Sequence, residues 1–208
     1  MAPTKRSSDA DIRALLRLDL LATHVDEQEV LLLEEFGCES VRADMAVING
    51  CMHCYEIKSG NDSLDRLEKQ VLGYGAVFDY VTLVADSRHI SKALAKVPYW
   101  WGIREVSSKS GSLEIKPLRR ARKNANIDKK VLARMLWRKE AEKLLKEHSS
   151  EPSIKNLRAA ELWKLVGDEL PKKVISNAVR AALKQRGGSG FRPPLLRNDG
   201  SSPMQSNL

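Results

Sequence analysis

Apolar residues recur at Ile12, Leu15, Leu16 and Leu20, the three-and-four spacing of one helix face, with acidic residues at the start. Residues 9–23 are therefore predicted to be helical. The period then shortens. Residues 30–36, 41–48 and 52–58 are rich in strand formers and separated by short polar breaks, which predicts three consecutive strands. Asn61, Asp62 and Ser63 offer amino-terminal caps for a helix to about residue 78, with Leu64, Leu67, Val71 and Leu72 facing the sheet. A strand at 81–85, a helix at 90–96 and a strand at 102–106 complete the order α-β-β-β-α-β-α-β. That order predicts an α/β fold, a mixed sheet with helices on both faces.

From Ile127 the pattern is helical throughout. One helix is expected along Ile127, Val131, Leu132, Met135, Leu136, Leu144 and Leu145; a second, capped by Ser153, over 154–166; and a last one from Pro171 to the stop at Gly187-Gly188. These read as a small C-terminal satellite at 127–186, with Trp137 and Trp163 as packing anchors. Residues 1–115 form the expected α/β domain, 116–126 a basic linker, and 187–208, rich in Gly, Ser and Pro, a disordered tail. Tyr99-Trp100-Trp101 joins a helix to a strand and is expected to seal the core.

Chemistry concentrates on the second and third strands. Asp44 lies on one, and Glu56 and Lys58, two residues apart and hence on one face, lie on the other. A two-residue Asn49-Gly50 loop would pair Asp44 with Tyr55 and put Asp44 and Glu56 on opposite faces. A convergent site requires a three-residue loop, for instance Ile48-Asn49-Gly50 with Gly50 left-handed, or a bulge. Given that geometry, two carboxylates suffice to hold Mg²⁺, for which Mn²⁺ can substitute, with waters and substrate oxygens completing the shell. Such an ion acidifies water and offsets charge on a phosphodiester under attack, and Lys58 is placed to orient the nucleophile or bind a phosphate oxygen. The competing reading is a solvated face with cross-strand ion pairs.

Asp44 followed by Glu56-Ile57-Lys58 resembles the signature of the PD-(D/E)xK nuclease superfamily, and Gln70-Val71-Leu72-Gly73-Tyr74 matches the Gln-x-x-x-Tyr element of its RecB-like members. Segments 81–84 and 97–103 are also similar to a group of small bacterial and phage proteins placed there, so the resemblance covers about the first half of the chain. It implies a restriction-endonuclease-like fold. It implies metal ligation by Asp44, Glu56 and the Ile57 carbonyl, a catalytic amine at Lys58, and a supporting role for Gln70 and Tyr74. Ala43 stands where the superfamily often has Pro. Many members add an acidic residue from the first helix; Asp19, Glu34 and Glu35 are the alternatives here, Glu35 being carried as an additional ligand.

Charge is divided unevenly: 13 Lys/Arg against 18 Asp/Glu in residues 1–115, then 22 against 9 in 116–208. The basic half can draw a polyanion to an acidic metal-binding half. Arg42, Lys116, Arg119, Arg120, Arg122 and Lys123 are the candidate phosphate contacts. Three cysteines argue against a disulfide framework, and Cys38, Cys51, His53 and Cys54 make a poor zinc set because strand neighbours three apart face opposite ways. No apolar run is long enough to span a membrane and the amino terminus lacks a secretory signal, so a cytoplasmic protein is expected. Four functions are consistent with this pattern: a Mg²⁺-dependent deoxyribonuclease, a catalytically inactive DNA-binding or assembly protein on the same fold, an RNA-directed enzyme, and a protein adaptor. DNA is the leading partner, and a homodimer suits a duplex cutter.

Overall fold

The computed structural model describes residues 7–24, 30–109, 112–148 and 154–187. Helix α1 (Asp9–Thr23) is capped by Ser8, whose hydroxyl accepts from the Asp11 amide, and buries Ile12, Leu16 and Leu20. Six strands follow in sequence order across one sheet: β1 (Leu31–Cys38), β2 (Val41–Ile48), β3 (Met52–Lys58), β4 (Tyr80–Asp86), β5 (Gly102–Lys109) and β6 (Ser112–Arg119). β1, β2 and β3 are antiparallel neighbours, β3, β4 and β5 are parallel, and β6 returns antiparallel to β5. Helices α2 (Leu67–Gly75) and α3 (Ser87–Leu94) make the two crossovers that parallel pairing requires. The result is the α/β fold with a mixed sheet that the patterning predicts.

Two cores flank the sheet. On one face α1 lies over Met45, Val47, Tyr55, Ile57, Val84 and Val106. On the other, residues of β1 to β5 pack with α2, α3 and the C-terminal helices α4 (Lys129–Ala133), α5 (Arg138–His148), α6 (Ala159–Glu169) and α7 (Lys172–Gln185). The C-terminal helices are thus not a satellite with a core of their own, because Leu132, Leu162, Ile175 and Leu183 join the same apolar cluster as Phe78 and Leu83.

Other expectations also change. Residues 116–119 are not linker but strand β6, on the sheet edge, where Pro117 removes no needed ladder bond and lysine and arginine discourage further pairing. Residues beyond it are also tied down: buried Asn124 donates through Nδ2 to the carbonyls of Gly75 and Phe78. Helix α2 starts at Leu67, three residues after the expected Leu64, because its expected caps close local turns, Asp62 accepting from Ser59 and Ser63 from the Asp65 amide. Its buried face is Leu67, Gln70 and Tyr74, leaving Leu72 77% exposed. The single helix expected after Ile127 is two, because Glu140 accepts from the Trp137 amide and starts α5 afresh. Trp137 is consequently half exposed beneath the Arg186 guanidinium, whereas Trp163 is buried and donates to the Leu136 carbonyl. Trp101 is fully buried, but Tyr99 is exposed. Ser153 and the tail at 188–208 lie outside the described residues. Among those described, no helix is long and apolar enough to cross a membrane.

Candidate active site

The β2–β3 connection is a three-residue loop, Asn49-Gly50-Cys51, with Ile48 opposite Met52. It differs by one position from the Ile48-Asn49-Gly50 loop anticipated, and Gly50 is not left-handed. The Asn49 side chain closes the turn instead, its Oδ1 accepting from the Cys51 amide at 3.0 Å. Continued past its last paired residues, Met45 and Tyr55, this register sets Asp44 opposite Glu56.

Asp44 also sits at a break in the strand pattern. β1 and β2 pair throughout except at Glu35 and Asp44, and Glu35 adopts φ 53°. Leu33 and Phe36, three apart, reach the same core, as do Ala43 and Ala46 across from them. The two-residue alternation is therefore reset at this point. A left-handed non-glycine residue costs about 1–2 kcal/mol, and here Glu35 is held by ion pairs to Arg13 at 3.0 Å and Arg42 at 2.7 Å. Freed from the ladder, the Asp44 carboxylate turns toward β3 and accepts from the Ile57 amide at 2.7 Å. From α1, Arg13 Nη2 reaches Asp44 Oδ1 at 3.1 Å while Nη1 donates to its carbonyl.

Glu56 is 2% exposed, yet its carboxylate has three polar partners. Oε1 accepts from Lys58 Nζ at 2.6 Å and Gln70 Nε2 at 2.6 Å, and Oε2 accepts from the Tyr74 hydroxyl at 2.6 Å. Lys58, Gln70 and Tyr74 are themselves buried. Burial first, and the nearby Asp44 charge second, push the Glu56 carboxyl up, opposed by Lys58 and Tyr74. Asp44 is also raised by burial, against the Ile57 amide and Arg13, with Asp9 adding repulsion. The Tyr74 hydroxyl stands 2.6 Å from the Arg42 carbonyl as well. Its single proton serves one acceptor at a time; a protonated Glu56 would complete both bonds by donating to the hydroxyl.

The donor set fits a small hard cation. A carboxylate offers roughly four lone-pair positions; three donors occupy Glu56 and two occupy Asp44, so both retain capacity. Gln70 Oε1 is buried with no hydrogen-bond donor among the described residues, an oxygen suited to a cation, its water or a substrate proton. Among the described residues no group of three or more His, Cys, Asp and Glu is arranged to hold a metal. An ion here would depend on two carboxylates, neutral oxygens such as the Ile57 carbonyl, water and substrate.

Asp44, Glu56, Lys58, Gln70 and Tyr74 are therefore brought together, with Glu35 and Arg42 beside them. Asp19 is not: it pairs with Arg104 at 2.8 Å, and Glu34 pairs with Arg17. The first-helix acid that does approach is Asp9, joined through Arg13 at 3.3 Å. Neither Asp9 nor Arg13 was singled out in the sequence, although their four-residue spacing on a predicted helix was a usable signal. Lys116, Arg119, Arg120, Arg122 and Lys123 lie on or after β6, three strands from β3, about 14 Å at ordinary strand spacing. Lys116 pairs with Glu114, and Arg119 spends Nε and Nη2 on the carbonyls of Trp101 and Pro98. Arg120, Arg122 and Lys123 are exposed. Cys38 and Cys54 are buried in the core opposite α1 and burial pushes both thiols up, so no zinc set forms with His53, which faces the other way.

A family model described as Bacteriophage P4 protein cII matches residues 4–191, and the chain belongs to that family. Protein cII of Enterobacteria phage P4 is 27% identical over 168 residues, covering 81% of this chain and 63% of that protein. The chain thus spans less than two thirds of the length of this curated relative. Among solved structures, the SPO1766 protein of unknown function from Silicibacter pomeroyi aligns over 59% of this chain and 74% of its own, at 21% identity and a TM-score of 0.38.

Proposed function

We propose that this member of the bacteriophage P4 protein cII family is a Mg²⁺-dependent deoxyribonuclease of the PD-(D/E)xK kind. The observation that carries the reading is the Glu56 carboxylate, buried at 2% exposure yet gathered by Lys58, Gln70 and Tyr74 with Asp44 alongside. Burying that much charge is expensive, and perturbed carboxyls in such a cluster are the usual mark of a working site. Each role follows from position. Gln70 and Tyr74 fix the Glu56 carboxylate in one orientation, leaving Gln70 Oε1 for the incoming group. Asp44 is aimed by the Ile57 amide and Arg13. Lys58 Nζ, already beside Glu56, is the donor for a phosphate oxygen or the attacking water. Asp44 and Glu56 would hold Mg²⁺, which would supply Lewis acidity and offset charge on the phosphodiester. Arg13 and Arg42 offset Asp9, Glu35 and Asp44, which lowers the repulsion a polyanion meets. Exposed Arg120, Arg122 and Lys123 offer contacts to a strand running past the sheet edge.

One observation favours a second reading, an inactive DNA-binding or assembly protein: Arg13 occupies Asp44 and three donors occupy Glu56. Incubation with single-stranded, duplex and branched DNA, and with RNA, in Mg²⁺ or Mn²⁺ and in chelator, separates the two. The nuclease reading expects metal-dependent cleavage of DNA lost in Glu56→Gln and Lys58→Ala. Cleavage surviving in Glu56→Gln removes it, and salt-sensitive DNA binding without cleavage under any ion selects the second reading.

A further inference from the structure

On the face covered by α1, the three parallel strands change character along their length. Beneath the helix they present Ile57, Val84 and Val106. Toward their amino-terminal ends, the same face presents Tyr55 and His53 on β3, Thr82 and Tyr80 on β4, and Arg104 on β5. Helix α1 ends at Thr23, and the described residues at that end of the sheet line a cavity of about 490 Å³. Among the described residues, Arg104, Arg119 and Arg120 line it and no carboxylate does.

Its aromatic floor is fixed. His53 stacks on Tyr55 with centroids 4.3 Å apart and planes 20° from parallel, and Tyr80 lies 5.6 Å from His53. Both ring nitrogens of His53 are engaged, Nε2 with Thr82 Oγ1 at 2.9 Å and Nδ1 with the Tyr55 hydroxyl at 3.3 Å. Burial, helped by His24 and Arg104, pushes His53 down to about 4, so at neutral pH the ring is an uncharged plane. Arg120 is exposed and forms no ion pair with a described residue. Arg104 gives only Nη1 to Asp19.

The geometry points to a binding site for a nucleobase–phosphate unit, its base against the His53 and Tyr80 rings and its phosphate on Arg104 and Arg120. A cavity of this size suits a small ligand and not a folded partner. Arg120, with the remaining donors of Arg104 and Arg119 beside it, favours an anion, and the rings reward a planar group over an aliphatic acid. A free mononucleotide and an unpaired nucleotide within a strand carry the same chemistry. The cavity lies on the opposite face from Glu56 and Lys58 and at the opposite strand ends, so it does not rest on the nuclease reading.

Calorimetric titration of the full chain in chelator, with thymidine monophosphate, ribose 5-phosphate and a short oligothymidylate, tests this without any divalent ion. Saturable nucleotide binding is expected, with ribose 5-phosphate weaker, and with Arg120→Glu and Tyr80→Ala each weakening the nucleotide about tenfold. Monophosphate binding assigns the site to free nucleotides; binding of the oligonucleotide alone, weakened by the same variants, assigns it to a strand. No saturable binding of either, or binding indifferent to Arg120→Glu, overturns the inference. If Tyr80→Ala fails to fold, Arg120→Glu, an exposed change, decides. Because the cleavage assay requires a divalent ion and this titration excludes one, failure of either leaves the other standing.

Discussion

Replacing Lys58 by methionine strands the Glu56 carboxylate in the core. The two groups are 4% and 2% exposed and their charges lie 2.6 Å apart, a gross attraction of about 6 kcal/mol at an effective dielectric of about 20. Desolvation of both ions offsets most of that, so the net contribution of the intact pair is small. Removal of one partner is different, because the remaining charge stays buried with only Gln70 and Tyr74 as donors, and breaking such a pair costs about 3–5 kcal/mol. Set against a total stability of about 5–15 kcal/mol, Lys58→Met should lower the thermal midpoint by roughly 6–20 °C for a chain of this size. Glu56→Gln combined with Lys58→Met leaves no buried charge and should recover most of the loss. The pH dependence has a definite sign. Burial raises Glu56 in the folded state, so its protonated form is favoured there and its contribution to stability is present below the ordinary carboxyl range and lost as pH rises through the folded value. In Lys58→Met this effect is larger, and the deficit should shrink as pH falls. Thermal and urea unfolding of the four chains of the cycle at two pH values measure all of this. A Lys58→Met loss under about 1 kcal/mol, or a double variant no more stable than the single, would refute the buried-pair reasoning.

Three further outcomes are expected. Gly73 packs α2 onto β2, where an added Cβ would overlap Val41 Cγ2; Gly73→Ala should therefore destabilise by about 1–2 kcal/mol despite its better helix propensity, and Val41→Ala in the same chain should restore stability, both read by urea unfolding. His53 drops from 6.5 to about 4 on folding, so the unfolded chain binds the extra proton: about 3 kcal/mol of stability present above pH 6.5 should be lost on acidification to about pH 4. Comparison with His53→Gln isolates that slope, and equal slopes would contradict it. Trp163→Phe removes the bond from Nε1 to the Leu136 carbonyl, 2.9 Å long at the break between α4 and α5, and should cost about 1–2 kcal/mol in thermal unfolding while the fold persists.

Elements with an unambiguous period were legible in the residues: the bounds of α1, β2 and β3 coincide with their apolar patterns. The requirement that Asp44 and Glu56 converge demanded a three-residue loop, and the register contains one. What escaped was set by tertiary context. β6 alternates only weakly, through Leu113 and Ile115, and its arginine, lysine and proline resemble a linker because an edge strand has one face and one side in water. The apolar pattern phases α2 on Leu72, whereas burial of Gln70 and Tyr74 against Glu56 rotates that residue into solvent. No glycine or proline marks the break before α5; a side-chain cap from Glu140 and the Trp163 indole make it. The strand break at Glu35 and Asp44 has no local signature either, since its left-handed glutamate is held by arginines distant in sequence or across the strand pair. That break aims Asp44, so the residues named a site whose geometry only the fold supplies.

The central claim is that Asp44 and Glu56 share one divalent ion. Titration of the full chain with Mn²⁺, followed by the loss of the free ion's paramagnetic resonance signal, tests it without DNA or turnover. One saturable site is predicted in the wild type, weakened at least about tenfold in both Asp44→Asn and Glu56→Gln. An absence of saturable binding, or a site whose affinity ignores both substitutions, would contradict the account.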